Sequence, residues 1–441
     1  MGLADYVNKE LPKWPTWINK IIFHLNIFGN KVYGKGYETT LKDIEQLCPE
    51  EKLCEIVNYA IKNVPYYRNK YGNLQIKSIK EFEEKIAFID KDEVMEHWND
   101  FIADGTDLSK CSVGTTGGTS GKPLKLVTPQ NRYLREAVFT DIYRGYSGWK
   151  HGDCRGVIRN HKLPPHKDYL INPMTKQYIF DAFRISDEYV KKIHKVLKNN
   201  NVQYIFAYPS AVCQFLRICN KLNLDLSFLK AVHLSSEAVT EDQAWLITKV
   251  CGLKLSYTYG HSEKLIFAAN DCKDMDLIVD SKYGHFELID KDGKPLDTAG
   301  EIGEMVGTTF FNKQMPLIRY RTGDFAELGR EKNGNRTLRK IYGRWDKSII
   351  YRCDNTTTSL TALNLHGDFY EHIDGMQYIQ EEKGKLIALI IKNEKYCEKD
   401  ETFILEHLGN AMLGKENVEI RYVDKLIIQP NGKFLPIISK I

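Results

Sequence analysis

The hydrophobic rhythm changes twice along the chain. Over residues 1–100 apolar positions recur at helical spacing among many charges, which predicts a polar, mainly helical lead-in. Its most amphipathic stretch is WINKIIFHLNIF, residues 17–28. That stripe predicts a helix packed on the domain, with a helix lying on a membrane surface as the alternative. From about residue 111 short apolar runs alternate with helical ones. Residues 202–207 read as a strand that ends at Tyr208, Pro209 and Ser210, and Val212, Phe215, Leu216 and Cys219 then follow a helical period. A second strand is expected over 229–234, a second helix over 241–250 and a third strand over 253–257. This β-α-β-α-β order predicts an α/β fold with a parallel sheet. In such sheets ligands bind beyond the carboxyl ends of the strands.

Residues 278–325 have strand-like runs separated by Gly, Asp and Pro turns, so an antiparallel or barrel-like section is expected there. After Asp346 the order becomes strand, helix, hairpin, helix, strand, with the hairpin turning at 382–385. The expected division is a large domain over 1–345, including the helical lead-in, and a small α+β domain over 346–441.

Composition narrows the class without naming an activity. The 62 Lys+Arg against 58 Asp+Glu give a net +4, which excludes a strongly basic nucleic-acid binder. No signal-peptide pattern and no uncharged apolar run of about 18 residues is present, so a cytoplasmic protein without a transmembrane segment is expected. None of the ten cysteines forms a C-x-x-C pair, which leaves free thiols as the expectation.

The strongest chemical signal is SVGTTGGTSGKPLK, residues 112–125. Its four glycines let the backbone approach an anion closely, and its hydroxyls add donors. A flexible linker would have no reason to run through Lys122 and Pro123 straight into a strand. A Walker A loop fails, because Gly121 and Lys122 are followed by Pro123 and Thr116 stands where the first glycine belongs. Further along come HLSSEA at 233–238, YGHSE at 259–263, YRTGD at 320–324, YGRWD at 342–346 and PNGK at 430–433.

Together these segments resemble, in order, the motifs of the adenylate-forming superfamily. That superfamily comprises acyl-CoA synthetases, peptide-synthetase adenylation domains and luciferases. The short chain, the YGHSE variant and the ending GKFLPIISKI are most similar to its phenylacetate-CoA ligase branch, and within it to CapK-type proteins of capsular or surface-polysaccharide gene sets. The resemblance implies a phosphate-binding loop at Thr116, Gly117, Gly118, Thr119, Ser120, Gly121 and Lys122. It implies adenine and ribose contacts from Ser236, Glu237, Tyr259, Gly260, Asp324 and Arg344, and a substrate pocket with Tyr208, Ser235 and His261. Glu263 would bind magnesium, Asp346 would be the hinge, and Lys433 would be the mobile catalytic lysine, with Glu263 and Arg344 also catalytic. Two departures are visible. Leu124 stands where many members carry a lysine, and the run after the hinge, SIIYRCDNTTT, is not the usual Gly-containing apolar one.

The implied reaction is attack of a carboxylic acid on MgATP to give an acyl-adenylate and pyrophosphate, then transfer of the acyl group to coenzyme A. The alternative acceptor is an amine, such as an amino sugar of a polysaccharide. A non-catalytic nucleotide-binding scaffold is the alternative of another class. Small-molecule partners and no nucleic acid are expected.

Overall fold

The helical rhythm of the lead-in is realised as a run of short helices: α1 (Thr16–His24), α2 (Gly34–Glu45), α3 (Pro49–Asn63), α4 (Pro65–Tyr71), α5 (Ile79–Lys85) and α6 (Lys91–Glu96). The computed structural model describes residues 10, 14–25, 34–115, 124–159, 161–344, 349–354, 357–359, 363, 365, 372–429 and 434–441. Pro49 and Pro65 open α3 and α4, where a missing N–H costs nothing. Ser78 and Asp90 cap α5 and α6 by accepting the N–H of Glu81 and Glu93. In α1 the packing expectation is met on one side only. Asn19 is buried and Ile18 and Ile22 are half-buried, but Trp17 and Ile21 stand exposed.

The glycine-rich segment joins the two strands of a hairpin, β1 (Cys111–Thr115) and β2 (Lys125–Pro129), with Thr115 opposite Lys125. Helix α7 (Arg132–Arg144) follows. The chain then divides into two compact units. One comprises 1–21, 154–255 and 342–441; the other comprises 22–153 and 256–341.

In the first unit, β3 (Arg155–Arg159), β5 (Gln177–Asp181), β6 (Tyr204–Ala207) and β7 (Ala231–Ser235) are parallel, in the order β7-β6-β3-β5. Strand β4 (Leu170–Asn172) runs antiparallel along β5. The connecting helices include α8 (Asp187–Asn199) and α9 (Pro209–Lys221). In α8, Ser186 caps the first turn, Asp187 and Glu188 face the positive helix end, and Tyr189, Val190, Ile193 and Leu197 form the buried stripe. The expected parallel sheet is therefore present, with β3 and β5 added to the strands read from the sequence.

The second unit carries the antiparallel section. Strands β8 (Lys254–Gly260), β9 (Phe267–Ala269), β10 (Leu277–Val279), β11 (Gly284–Ile289), β12 (Ile302–Thr309), β13 (Tyr320–Leu328) and β14 (Thr337–Arg344) include the antiparallel pairs β8–β9, β9–β10, β10–β14, β11–β12 and β12–β13. One core cluster joins Ile44 of α2 and Val138, Phe139 and Tyr143 of α7 to Phe267, Ala269, Ile278 and Tyr283. The lead-in is also fastened to β13: Ile89 bridges Tyr320, and Arg319 donates to the Glu83 and Ile86 carbonyls at 2.8 and 2.6 Å. Arg319 and Glu287 form a bidentate buried ion pair. A buried pair of this kind is strongly destabilised when one partner is removed.

Near the C-terminus, β17 (Ile373–Gln380) and β18 (Leu386–Lys392) form the expected hairpin, after the short pair β15 (Ile349–Tyr351) and β16 (Thr357–Ser359). Strands β19 (Val418–Tyr422) and β20 (Ile437–Ser439) add in parallel on either side, giving the order β19-β18-β17-β20. Ile404 and Leu408, from the helix Glu398–Ala411, share a core with Tyr378, Leu386, Ala388 and Ile390.

Candidate active site

The first cluster lies in the unit that carries the antiparallel strands. The Tyr259 hydroxyl, near the end of β8, donates to Oδ2 of Asp324 on β13 at 2.6 Å. Burial, and then the Asp324 charge, push the Tyr259 pKa well above its ordinary value, so the phenol stays a donor. A carboxylate has about four lone-pair sites, and this bond uses one of them. The rest of YRTGD holds Asp324 in place. Gly323 takes a left-handed φ of 71°, which a glycine adopts without strain, and its N–H donates to Glu304 Oε1 at 3.1 Å. Arg321 donates to Glu304 Oε2 at 2.8 and 2.5 Å, and the Thr322 hydroxyl donates to the Met305 carbonyl and accepts the Asp324 N–H. Glu304 is the bracket of this motif, and sequence reasoning missed it. Its signal was an acidic residue inside the apolar run IGEMV.

YGHSE continues past β8. His261 Nε2 accepts the Ile266 N–H at 3.1 Å, and Nδ1 faces Glu263 Oε2 at 3.0 Å. An Nε2 that accepts a main-chain proton cannot also carry one. The proton therefore sits on Nδ1 and is donated to Glu263, in the neutral tautomer. His261 thus holds the buried Glu263 carboxylate in one orientation. Gly260 is exposed at the strand end.

The phosphate-loop residues Thr116, Gly117, Gly118, Thr119, Ser120, Gly121 and Lys122 lie outside the described residues. Their anchors do not. Leu124 is fully buried, so the residue that replaces the usual lysine is a core anchor. Trp98 Nε1 donates to the Lys125 carbonyl at 2.7 Å, and the Lys125 ammonium stands 4.7 Å from the Trp98 ring centroid.

The second cluster lies in the other unit, at the carboxyl ends of β3, β6 and β7. Buried Tyr208 follows β6 and Ser235 ends β7. Ser236 has a left-handed φ of 72°, a strained value for a non-glycine residue. Arg159, at the end of β3, donates to Ser236 Oγ at 3.1 Å and stacks 5.0 Å from the Tyr208 ring centroid. Among the described residues, the buried Nε of Arg159 and Nδ1 of His161 find no hydrogen-bond partner. Burial, and then the Arg159 charge, lower the His161 pKa. Sequence reasoning missed both residues; the run GVIR followed by a histidine was the available signal.

Glu237 is buried and fully engaged with protein groups. Oε2 accepts the Ser210 N–H at 3.0 Å, at the N-terminus of α9, and Oε1 accepts the Ser210 hydroxyl at 3.1 Å and the Phe434 N–H at 2.7 Å. Lys433, the neighbour of Phe434, lies outside the described residues, as does Asp346. Arg344 ends β14, and nothing of its side chain is described.

Comparison with known proteins first defines the fold. The structure superposes on 2-hydroxyisobutyryl-CoA ligase in the postadenylation state in complex with 2-HIB-AMP, with a TM-score of 0.64, 14% identity and 88% of each chain covered. It also superposes on the acyl acid amido synthetase AtGH3.15, with a TM-score of 0.56, 14% identity and 90% and 89% covered. The fold is that of the adenylate-forming enzymes. More particularly, residues 356–440 match the CapK C-terminal domain. Protein CapK of Staphylococcus aureus is 23% identical over 431 residues, 92% of this chain and 93% of its own. The phenylacetate-coenzyme A ligase of Thermus thermophilus is 24% identical over 417 residues, 88% of each chain. The chain is a relative of CapK and of the phenylacetate-CoA ligases, as its motifs implied.

Proposed function

We propose that this chain activates a carboxylic acid with ATP and transfers the acyl group to an acceptor. The observation that carries the reading is the 2.6 Å bond between Tyr259 and Asp324, which joins two motifs of the resemblance and orients a carboxylate for ribose hydroxyls. Asp324 takes the ribose. The segment Ser235, Ser236 and Glu237 takes the adenine side, with Glu237 serving as its buried tie. The 116–122 loop cradles the phosphates, and Arg344 and Lys433 supply positive charge as the reaction proceeds.

One oxygen of the acid attacks the α-phosphorus. The bond to the bridging oxygen breaks, and pyrophosphate leaves with the electron pair. The product is an acyl-adenylate, in which AMP is a far better leaving group than oxide. Catalysis is positioning and charge stabilisation, without a covalent enzyme intermediate. In the second step an acceptor attacks the acyl carbon, AMP departs, and the acceptor loses its proton. We assign coenzyme A as acceptor, by analogy with the CoA-ligase relatives. An amine, such as that of an amino sugar in a capsular polysaccharide, is the second reading; the likeness to CapK and to an amido synthetase favours it.

Magnesium fits the residues present. The ion needs one or two carboxylates besides phosphate oxygens and waters, and Glu263 offers a buried carboxylate steadied by a neutral histidine. When bound, the ion would neutralise phosphate charge. The positioning residue is then His261. We place the reaction in the cytoplasm and the hinge between a large and a small domain at Asp346. Acid-dependent formation of an acyl-adenylate from ATP, followed by mass spectrometry across a library of acids, tests the reading. Release of ADP in place of AMP would refute it.

A further inference from the structure

We propose that the exposed face of α1 is a docking surface for an anionic lipid bilayer. Trp14, Trp17, Ile21 and Leu25 are 48%, 65%, 50% and 66% exposed. Trp17 and Ile21 lie on the helix, four positions apart and so within about 40° of each other at 3.6 residues per turn, and Trp14 and Leu25 flank its two ends. The opposite side centres on Asn19, which is fully buried. The helix therefore carries two faces with separate tasks, one turned inward and an apolar one turned to solvent. Two exposed tryptophans are costly in water, and at a bilayer surface their amphipathic rings sit at the headgroup level.

Charge selects the occupant. Residues 11–37 contain Lys13, Lys20, Lys31 and Lys35 and no aspartate or glutamate, although the whole chain is nearly balanced in charge. Exposed Lys20 lies within the helix itself. An apolar stripe among one-signed lysines is the pattern of a helix that lies in an anionic interface. A second copy of this chain would bring two segments of the same charge sign together, which like-charge repulsion opposes. Among the described residues no helix is long and apolar enough to cross a membrane, so the helix lies on the surface.

The test is flotation of the full chain with phosphatidylcholine vesicles, with and without about 30% phosphatidylglycerol. Binding to the anionic vesicles should be at least about tenfold stronger and should fall several-fold at high salt. The double variant Trp17→Glu/Ile21→Glu should lose that gain while its melting temperature is unchanged. Should the variant misfold, the wild-type chain still decides the matter: anionic vesicles must shield its tryptophans from acrylamide. Equal binding to both vesicle types, no binding, or full retention by the folded variant would overturn the proposal. So would a wild-type dimer that the double variant dissolves, since the face would then belong to a second copy.

Discussion

The carboxylate of Glu237 ties the main-chain N–H of Phe434 to the start of α9, at 2.7 Å on one side and 3.0 Å on the other. The residue before Phe434 is Lys433. A buried acidic side chain thus fixes the chain next to the lysine proposed for catalysis. The helix N-terminus favours the negative charge that makes both bonds strong.

Glu237→Ala leaves these donors without their acceptor. It should cost about 1–3 kcal/mol of stability and speed exchange of the Phe434 amide about tenfold. Glu237→Gln, which keeps an acceptor oxygen, should fall between. Hydrogen exchange by mass spectrometry reads the effect; an unchanged Phe434 amide would mean that the tie contributes nothing.

The sequence made part of this arrangement legible. The β-α-β order showed the parallel strands, because buried strands and amphipathic helices differ in period. The YRTGD segment pointed to Asp324 through its resemblance to a family motif, and the segment opens β13. The Glu237–Phe434 tie was invisible, because 197 positions separate its partners and no local pattern encodes the contact. The brackets Glu304 and Arg159 were missed for the same reason: Glu304 acts on the neighbouring strand β13, and Arg159 on Ser236 at the end of β7, two strands away. The outward face of α1 was missed because periodicity shows a stripe without showing which way it points.

The ribose role of Asp324 sets the next expectation. Asp324→Ala should weaken ATP binding about ten- to a hundredfold, the value of a charge-assisted bond of roughly 1.5–3 kcal/mol. Tyr259→Phe should weaken it less, since only the orienting donor is lost. Calorimetry with ATP measures both. Unchanged affinity in the Asp324 variant would remove the ribose role.

Glu263→Gln should raise the magnesium needed for half-maximal adenylation several-fold while sparing adenosine binding, because the amide is a poorer ligand for a hard cation. A magnesium titration checks this. A normal titration at a normal rate would place the ion elsewhere.

His285 predicts a pH dependence of stability. Burial, then the charges of Arg319 and Arg336, lower its pKa from 6.5 to about 4. Between these values the unfolded chain binds a proton that the folded chain refuses. Stability should therefore fall as pH drops from 6.5 toward about 4, and this term should be constant outside that window. Urea unfolding at several pH values should show a shallower decline for His285→Gln. An identical decline would assign the dependence to other groups.

The account rests on adenylation by Lys433, whose neighbour in sequence, Phe434, is bound by a buried tie. The most direct measurement is acid-dependent exchange of labelled pyrophosphate into ATP, in wild type and in Lys433→Ala, with acyl transfer from chemically made acyl-adenylate timed separately. We expect exchange in wild type with at least one acid. In the variant it should fall by about a hundredfold or more, because the charge acts on the transition state. Transfer from preformed adenylate should stay near the wild-type rate. No exchange with any acid, or full exchange without Lys433, would contradict the account.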